Sequence, residues 1–323
     1  MSTMDHLNTV TLAAQVGGHA GVLTTEDGEL LIKPALRQEL AFYQQLQSDE
    51  TLSVLLPYVP KFIGTLRLEG EVDESKPQED GIAVKPFVDK ADEHFMFWMR
   101  FEVLMGYSPN IMDIKLGTVL YDDGASPDKV ARMIETAKKT TSLETGVRLT
   151  GFQVYDNLTG LAVNTPKSYG KSIKAAQLPE GIAKFFPIGI PPESSPESSS
   201  GLPAPLLQKI LPGIREEVQE IRDVFAELEL RMVGGSLLIV YEGDWKKAQE
   251  GVNRLEEDEA EDEEEVDEDE EDAENKPGPP YVVKLIDFAH TKVVPGEGPD
   301  KGVLLGMDTV LMLLDGRIKE IAQ

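Results

Sequence analysis

The sequence predicts an α+β fold in two lobes, made of antiparallel sheets with flanking helices. Three observations carry the prediction. The chain has 323 residues and is 41% apolar, long enough for a two-lobed enzyme with a sizeable core. Strand-like stretches crowd around a single helix in the first hundred residues. Farther on, two apolar, β-branched stretches, 236–241 and 281–288, read as an adjacent antiparallel pair after a long helix.

The first lobe is expected over residues 1–105. Glu29–Lys33 reads as a strand, and Pro34 leads into a helix over 35–47, with Leu36, Leu40, Tyr43 and Leu46 at helical spacing. Residues 61–69 and 81–88 read as strands on either side of a polar loop. The second lobe, 106–323, opens with a strand near 110–117. There Met112, Ile114 and Leu116 share one face, while Asp113 and Lys115 stand side by side on the other. Ser126 and Pro127 then start a helix, as N-cap and first helical residue. Val130, Met133, Ile134 and Ala137 make its apolar side, and Lys129, Arg132 and Lys139 its basic side.

Residues 187–205, rich in Pro, Ser and Glu, read as a disordered loop. The long helix follows over 206–231, with Ile214, Val218, Ile221, Phe225 and Leu228 as a core stripe. The 242–280 connection is oversized, and residues 246–278 are expected to be structureless.

Composition excludes several classes. No apolar run is long enough for a membrane-spanning helix. The start, Met1–His6, lacks a basic region followed by an apolar core, so no secretory signal is expected. The absence of cysteine excludes disulfides and thiolate chemistry. Residues 256–274 hold 16 acidic side chains and no basic ones, so the net charge of −27 falls to −11 for the rest. An acidic chain of this kind gives no support to direct nucleic-acid binding. No Gly-x-x-x-x-Gly-Lys-[Ser/Thr] loop, His-Arg-Asp or Asp-Phe-Gly occurs, which excludes P-loop enzymes and standard protein kinases.

Several stretches carry a specific pattern. Pro109–Gly117 reads Pro-x-x-x-Asp-x-Lys-x-Gly, Ser236–Gly243 reads Ser-Leu-Leu-x-x-Tyr-Glu-Gly, and Ile286–Thr291 reads Ile-Asp-Phe-Ala-His-Thr. With Arg148–Tyr155 and Tyr169–Ser172, these resemble the motifs of the inositol polyphosphate kinases, in that family's order and over roughly residues 20–320. The resemblance implies a two-lobed fold related to protein kinases and ATP-grasp enzymes, with a short inositol-binding helical segment.

It also implies roles. Lys33 matches the lysine that contacts ATP phosphates, with Glu39 as its orienting partner by analogy with protein kinases. Glu102 and Leu104 mark the hinge that holds adenine. Asp113 matches the ribose-contacting aspartate, Lys115 the lysine facing the phosphates and the reacting hydroxyl, and Asp287 the metal ligand. The cofactors implied are ATP and Mg2+, since one carboxylate plus nucleotide oxygens and water suits the octahedral preference of magnesium. His290 matches a substrate contact. Lys129, Arg132 and Lys171 are added for substrate phosphates, with Lys167 and Lys138 behind them. Gln153 stands where animal members carry arginine.

The expected activity is transfer of the γ-phosphoryl group of ATP to several hydroxyls of inositol trisphosphate and tetrakisphosphate. Only 34 positions separate Gly117 from Gly151, so the lid over the substrate is short and the site open. Two alternatives stand beside this reading: an inositol hexakisphosphate kinase, and a transcription-complex scaffold acting through the acidic loop. The resemblance further implies a monomer of nucleus and cytoplasm that takes soluble inositol phosphates and meets basic protein partners through the acidic run.

Overall fold

Two five-stranded antiparallel sheets frame the described part of the molecule. The computed structural model describes residues 9–11, 22–25, 30–67, 70–72, 84–86, 95–100, 108–189, 201–262 and 279–323. In the first hundred residues lie β1 (Thr9–Thr11), β2 (Leu23–Thr25), β3 (Leu30–Ala35), β4 (Lys61–Arg67), β5 (Gly70–Val72), β6 (Val84–Pro86) and β7 (Phe95–Arg100). Five of them form a sheet in the order β1-β2-β3-β7-β4, while β5 and β6 pair separately. Strands β1, β2, β5 and β7 were not expected from the sequence; β5 falls within the polar stretch 70–80 that reads as a loop.

Helices α1 (Arg37–Ser48) and α2 (Glu50–Ser53) follow β3. The buried stripe of α1 is Glu39, Phe42, Tyr43 and Leu46, rotated from the expected one. Leu36 sits at the N-cap, 53% exposed, because the helix begins one residue later. Phe42 stacks on Phe288 with ring centroids 4.8 Å apart, and Tyr43 meets the same ring edge-on at 5.6 Å. Phe42, Tyr43, Leu46, Leu52, Leu55 and Val59 therefore belong to the same apolar cluster as the strands and helices of the larger lobe.

That lobe contains β8 (Pro109–Leu116), α3 (Pro127–Lys139), α4 (Ser142–Thr145), β9 (Val147–Asp156), β10 (Leu161–Thr165), α5 (Lys167–Ser172), α6 (Leu178–Phe185) and α7 (Ala204–Ala226). After them come β11 (Leu230–Met232), β12 (Ser236–Glu242), α8 (Trp245–Asp262), β13 (Tyr281–Ile286), β14 (Thr291–Val293) and α9 (Lys301–Ile321). The main sheet runs β10-β9-β8-β12-β13, placing β8 at its centre. The expected β12–β13 pair is present and antiparallel, with Ser236 opposite Ile286. On β8, Met112, Ile114 and Leu116 are buried as expected, but Asp113 is buried too, 2% exposed. The ladder to β9 shifts register between Met112 and Ile114, at Asp113.

The stripe Ile214, Val218, Ile221, Phe225 and Leu228 is buried throughout. Its helix stops at Ala226, and Leu230–Met232 instead pairs with β14. Helix α3 begins as expected, with the Ser126 hydroxyl accepting from the Lys129 amide. Its apolar side is only shallowly docked: Ala137 is buried, whereas Ile134 is 39% exposed.

Two expected loops contain structure. Ile188 and Leu202 bridge, and Leu202 is fully buried, so the ends of 187–205 are ordered; residues 190–200 lie outside the described residues. Residues 245–262 form α8 rather than a structureless connection. Asp244 accepts from the Lys246 and Lys247 amides at its start, and Ala248 and Val252, one turn apart, are buried.

Candidate functional site

Two motif glycines set the backbone around the site. Gly117 closes the Pro109–Gly117 pattern with φ +101°, where a side chain would strain the chain as it leaves β8. Gly170, in the Tyr-Gly-Lys-Ser stretch, lets α5 lie directly on β9; a Cβ there would collide with the Leu149 carbonyl oxygen.

Strand β3 brings Lys33 to the centre, and α1 brings Glu39 to it: Lys33 Nζ donates to Glu39 Oε1 at 2.7 Å. The same ammonium reaches Asp287 Oδ1 at 3.4 Å. From β8, Lys115 Nζ donates to Asp287 Oδ2 at 2.5 Å and to the Gly234 carbonyl at 2.8 Å. Asp287 follows the last residue of β13 with φ +68°, the one non-glycine in that region among the described residues. That conformation ends the strand two residues earlier than expected and costs energy that its contacts must offset. Phe288, locked between Phe42 and Tyr43, helps to fix it.

The electrostatics follow from burial and pairing. Burial opposes ionisation of Asp287, but the Lys115 and Lys33 ammoniums outweigh it and hold the carboxyl below its ordinary range. Burial also opposes the charge of Lys33, yet Glu39 and Asp287 leave it above the usual lysine value. Asp113 goes the other way. Its burial outweighs the attraction of Lys115, and the carboxyl rises. Among the described residues Asp113 Oδ1 is buried without a hydrogen bond of ordinary geometry, although the Ser236 hydroxyl stands close enough to favour the ionised carboxyl.

A second group forms at the loop between β8 and α3. His290 Nδ1 lies 2.8 Å from Asp122 Oδ2, and Lys129 Nζ lies 3.6 Å from the same oxygen. Lys33, Asp113, Lys115 and Asp287 are thus gathered in one place, and Lys129 and His290 in another. Arg132 on α3 and Lys171 on α5 are exposed, and neither makes an ion pair with the Lys115–Asp287 centre. Lys138 is likewise exposed, and Lys167 acts on Asp113 through its charge. Glu102 and Leu104 lie outside the described residues. Gln153 is 2% exposed and donates to the Pro109 carbonyl at 2.9 Å, so it braces the start of β8.

Two residues escaped the sequence reading. Arg148 lies opposite Lys115 in the β8–β9 register, is half-buried, and feels the Asp113 carboxylate, although burial still lowers its pKa. Knowing that pairing would have found it. Asp122 carried no signal beyond its place in an acidic pair before a helix.

A divalent cation is implied by the motif, and the donor set bears on it. Among the described residues no three His, Cys, Asp or Glu side chains gather as a ready metal cage. A lone carboxylate held ionised, such as Asp287, fits a cation that completes its shell with nucleotide phosphates and water, as magnesium does.

Comparisons with known proteins place the chain in a family. A profile of the inositol polyphosphate kinases matches residues 102–315. The chain belongs to the inositol polyphosphate kinase family. Within that family it is similar to the inositol polyphosphate multikinase of Saccharomyces cerevisiae, 31% identical over 95% of this chain and 98% of that one. It is also similar to the crystal structure of the S. cerevisiae inositol phosphate multikinase Ipk2 in complex with ADP and Mn2+. The TM-score is 0.61 at 27% identity, covering 90% of this chain and all of that one. Inositol hexakisphosphate kinase 2 of Rattus norvegicus is 30% identical over 66% of this chain, but over only 48% of its own length.

Proposed function

We propose that the chain is an ATP-dependent multikinase that phosphorylates hydroxyls of inositol trisphosphate and tetrakisphosphate with magnesium. The observation that carries the reading is the convergence of the Lys33 and Lys115 ammoniums on the ionised Asp287, beside the buried Asp113. Phosphoryl transfer asks a protein mainly for positioning and charge neutralisation, and this cluster offers both.

Each residue has a task. Lys33, held by Glu39, meets the nucleotide phosphates. Lys115, tethered to the Gly234 carbonyl, stands between those phosphates and the acceptor hydroxyl. The buried Asp113 oxygen accepts from the nucleotide ribose. Asp287 holds the metal, which when bound neutralises charge on the phosphates. Lys129, Arg132 and Lys171 receive the phosphates of the substrate, His290 contacts the inositol phosphate beside them, and the hinge near Glu102 and Leu104 holds adenine. The smaller lobe, residues 1–105, supplies the nucleotide side, and the larger one, 106–323, the substrate and metal.

The test is incubation with ATP, Mg2+ and a panel of inositol tris-, tetrakis- and hexakisphosphates, with product isomers resolved. Conversion of trisphosphate to higher phosphates is expected. Conversion of hexakisphosphate alone would make the chain a hexakisphosphate kinase, and no conversion would refute the reading.

The acidic run is assigned to recruiting basic protein partners, on the strength of its 16 acidic side chains. Co-precipitation of such partners with and without residues 263–278 tests this. Action as a monomer of nucleus and cytoplasm rests on the family resemblance; light scattering and imaging of a tagged chain test it.

A further inference from the structure

We propose that Asp122 is a positioning residue for the inositol-phosphate side of the site, acting through His290 and Lys129. The inference rests on the kinase reading above. Its starting point is that one carboxylate oxygen, Asp122 Oδ2, lies 2.8 Å from His290 Nδ1 and 3.6 Å from Lys129 Nζ. These two side chains come from distant parts of the chain, the segment after β13 and the first turn of α3. Asp122 sits on the loop between β8 and α3 and joins them.

The surroundings make this loop a fixed mount. Next to Asp122, the Asp123 carboxylate pairs with Lys292 on β14, so two consecutive acids stitch the loop to the segment carrying Asp287 and His290. The Asp122 carbonyl accepts from the Ala125 amide at 3.1 Å, and Ser126 caps α3 immediately afterwards. The His290 carbonyl accepts from the Val233 amide. Backbone and ring of His290 are therefore both held.

An imidazole has two nitrogens. With Nδ1–H donating to Asp122, Nε2 is the one left to meet a ligand, and the tautomer is set. Lys129, drawn toward the same oxygen, places its charge beside the ring. The arrangement suits a phosphate flanked by a hydroxyl, which needs one cation and one fixed ring nitrogen in register. That is the chemistry of a phosphorylated inositol.

The test compares Asp122→Ala and Asp122→Asn with the wild type. Asn keeps an oxygen able to accept from Nδ1–H and loses only the charge. For Asp122→Ala we expect the KM for inositol trisphosphate to rise about tenfold, at the low end for loss of an orienting partner, with the KM for ATP unchanged. Asp122→Asn should recover most of the loss. In an Asp122→Ala/His290→Ala double variant the effects should fall well short of adding, because Asp122 acts partly through the ring. An unchanged KM would reduce the contact to an ordinary ion pair and overturn the proposal. A lowered KM would overturn it too, by showing the carboxylate to compete with substrate phosphate.

One readout needs no activity. Long-range 1H–15N spectra of a chain with only four histidines should show His290 as the Nδ1–H tautomer, and a mixture in Asp122→Ala. A single unchanged tautomer in that variant would overturn the proposal. An inactive wild type with the expected spectra would instead fault the kinase reading.

Discussion

Replacing Asp287 by Asn isolates the charge at the centre of the site. The amide has the carboxylate's shape, and asparagine tolerates the left-handed conformation, so the φ of +68° is no confounding strain. What changes is the partnership with Lys115 at 2.5 Å and Lys33 at 3.4 Å. A hydrogen bond between charged groups contributes about 1.5–3 kcal/mol. The long Lys33 contact adds little, and Lys33 and Lys115 keep Glu39 and the Gly234 carbonyl as partners. We therefore expect a loss of about 1–3 kcal/mol, read as a fall of several degrees in Tm by scanning calorimetry.

The pH dependence has a definite sign. Asp287 is held below its ordinary range, so its contribution is present above the pKa of a free carboxyl and is lost as pH falls through the lowered folded value. The Tm gap between wild type and Asp287→Asn should shrink in acid. Activity should fall far more than stability, by about 10²- to 10³-fold in kcat with Mg2+, since one preorganised group commonly carries two to three powers of ten. A folded variant within tenfold of wild type, or a Tm gap equal at pH 7 and pH 3, would refute the assignment.

Three further outcomes are expected. Lys129→Ala should raise the KM for inositol trisphosphate ten- to a hundredfold, the effect of losing one charged contact of about 1.5–3 kcal/mol, with ATP unaffected; steady-state kinetics decide it. Glu217 on α7 accepts from the Val283 amide at 2.7 Å, and burial pushes its carboxyl up to about 7. Stability from its protonated form is complete below about 4.5 and is lost as pH rises through 7, so Glu217→Gln should gain on wild type by up to about 2–3 kcal/mol between pH 5 and pH 8. Parallel Tm profiles would refute that. Excising 263–278, whose acidic composition can bury little, should leave Tm unchanged, whereas replacing 246–278 removes the burial of Ala248 and Val252 and should cost about 2–3 kcal/mol.

The pattern of residues made the central strands legible, because β8, β12 and β13 alternate or run apolar between clear turn residues. It did not make Asp113's burial legible. Period two assigns a solvent face to every strand, and β8 is central in its sheet with Arg148 and Lys167 acting on that face. β7, Phe-Met-Phe-Trp-Met-Arg, has no alternation and is too short to separate strand from helix. α8 was hidden by composition: its acidic residues dominate, and the two that fix it, Ala248 and Val252, are a minority on one face. Of the candidate site, Lys115 and Asp287 stand in motifs legible in the sequence, and Lys33 stands at the end of a legible strand. The Asp122–His290 contact was not, since it joins residues 168 positions apart that no local rule connects.

The stack of Phe42 on Phe288 has a consequence for how the protein can be divided. Helix α1 is threaded among the smaller lobe's strands, yet its apolar side chains complete the interior of the larger one. A cut near residue 105 would strip that interior of Phe42, Tyr43 and Leu46 and leave Phe288 facing water. Graded proteolysis should therefore yield a resistant core that starts near residue 37 rather than 106. The elements that melt together need not match the two lobes, and α1 together with the segment bearing Asp287 would be lost or kept as one.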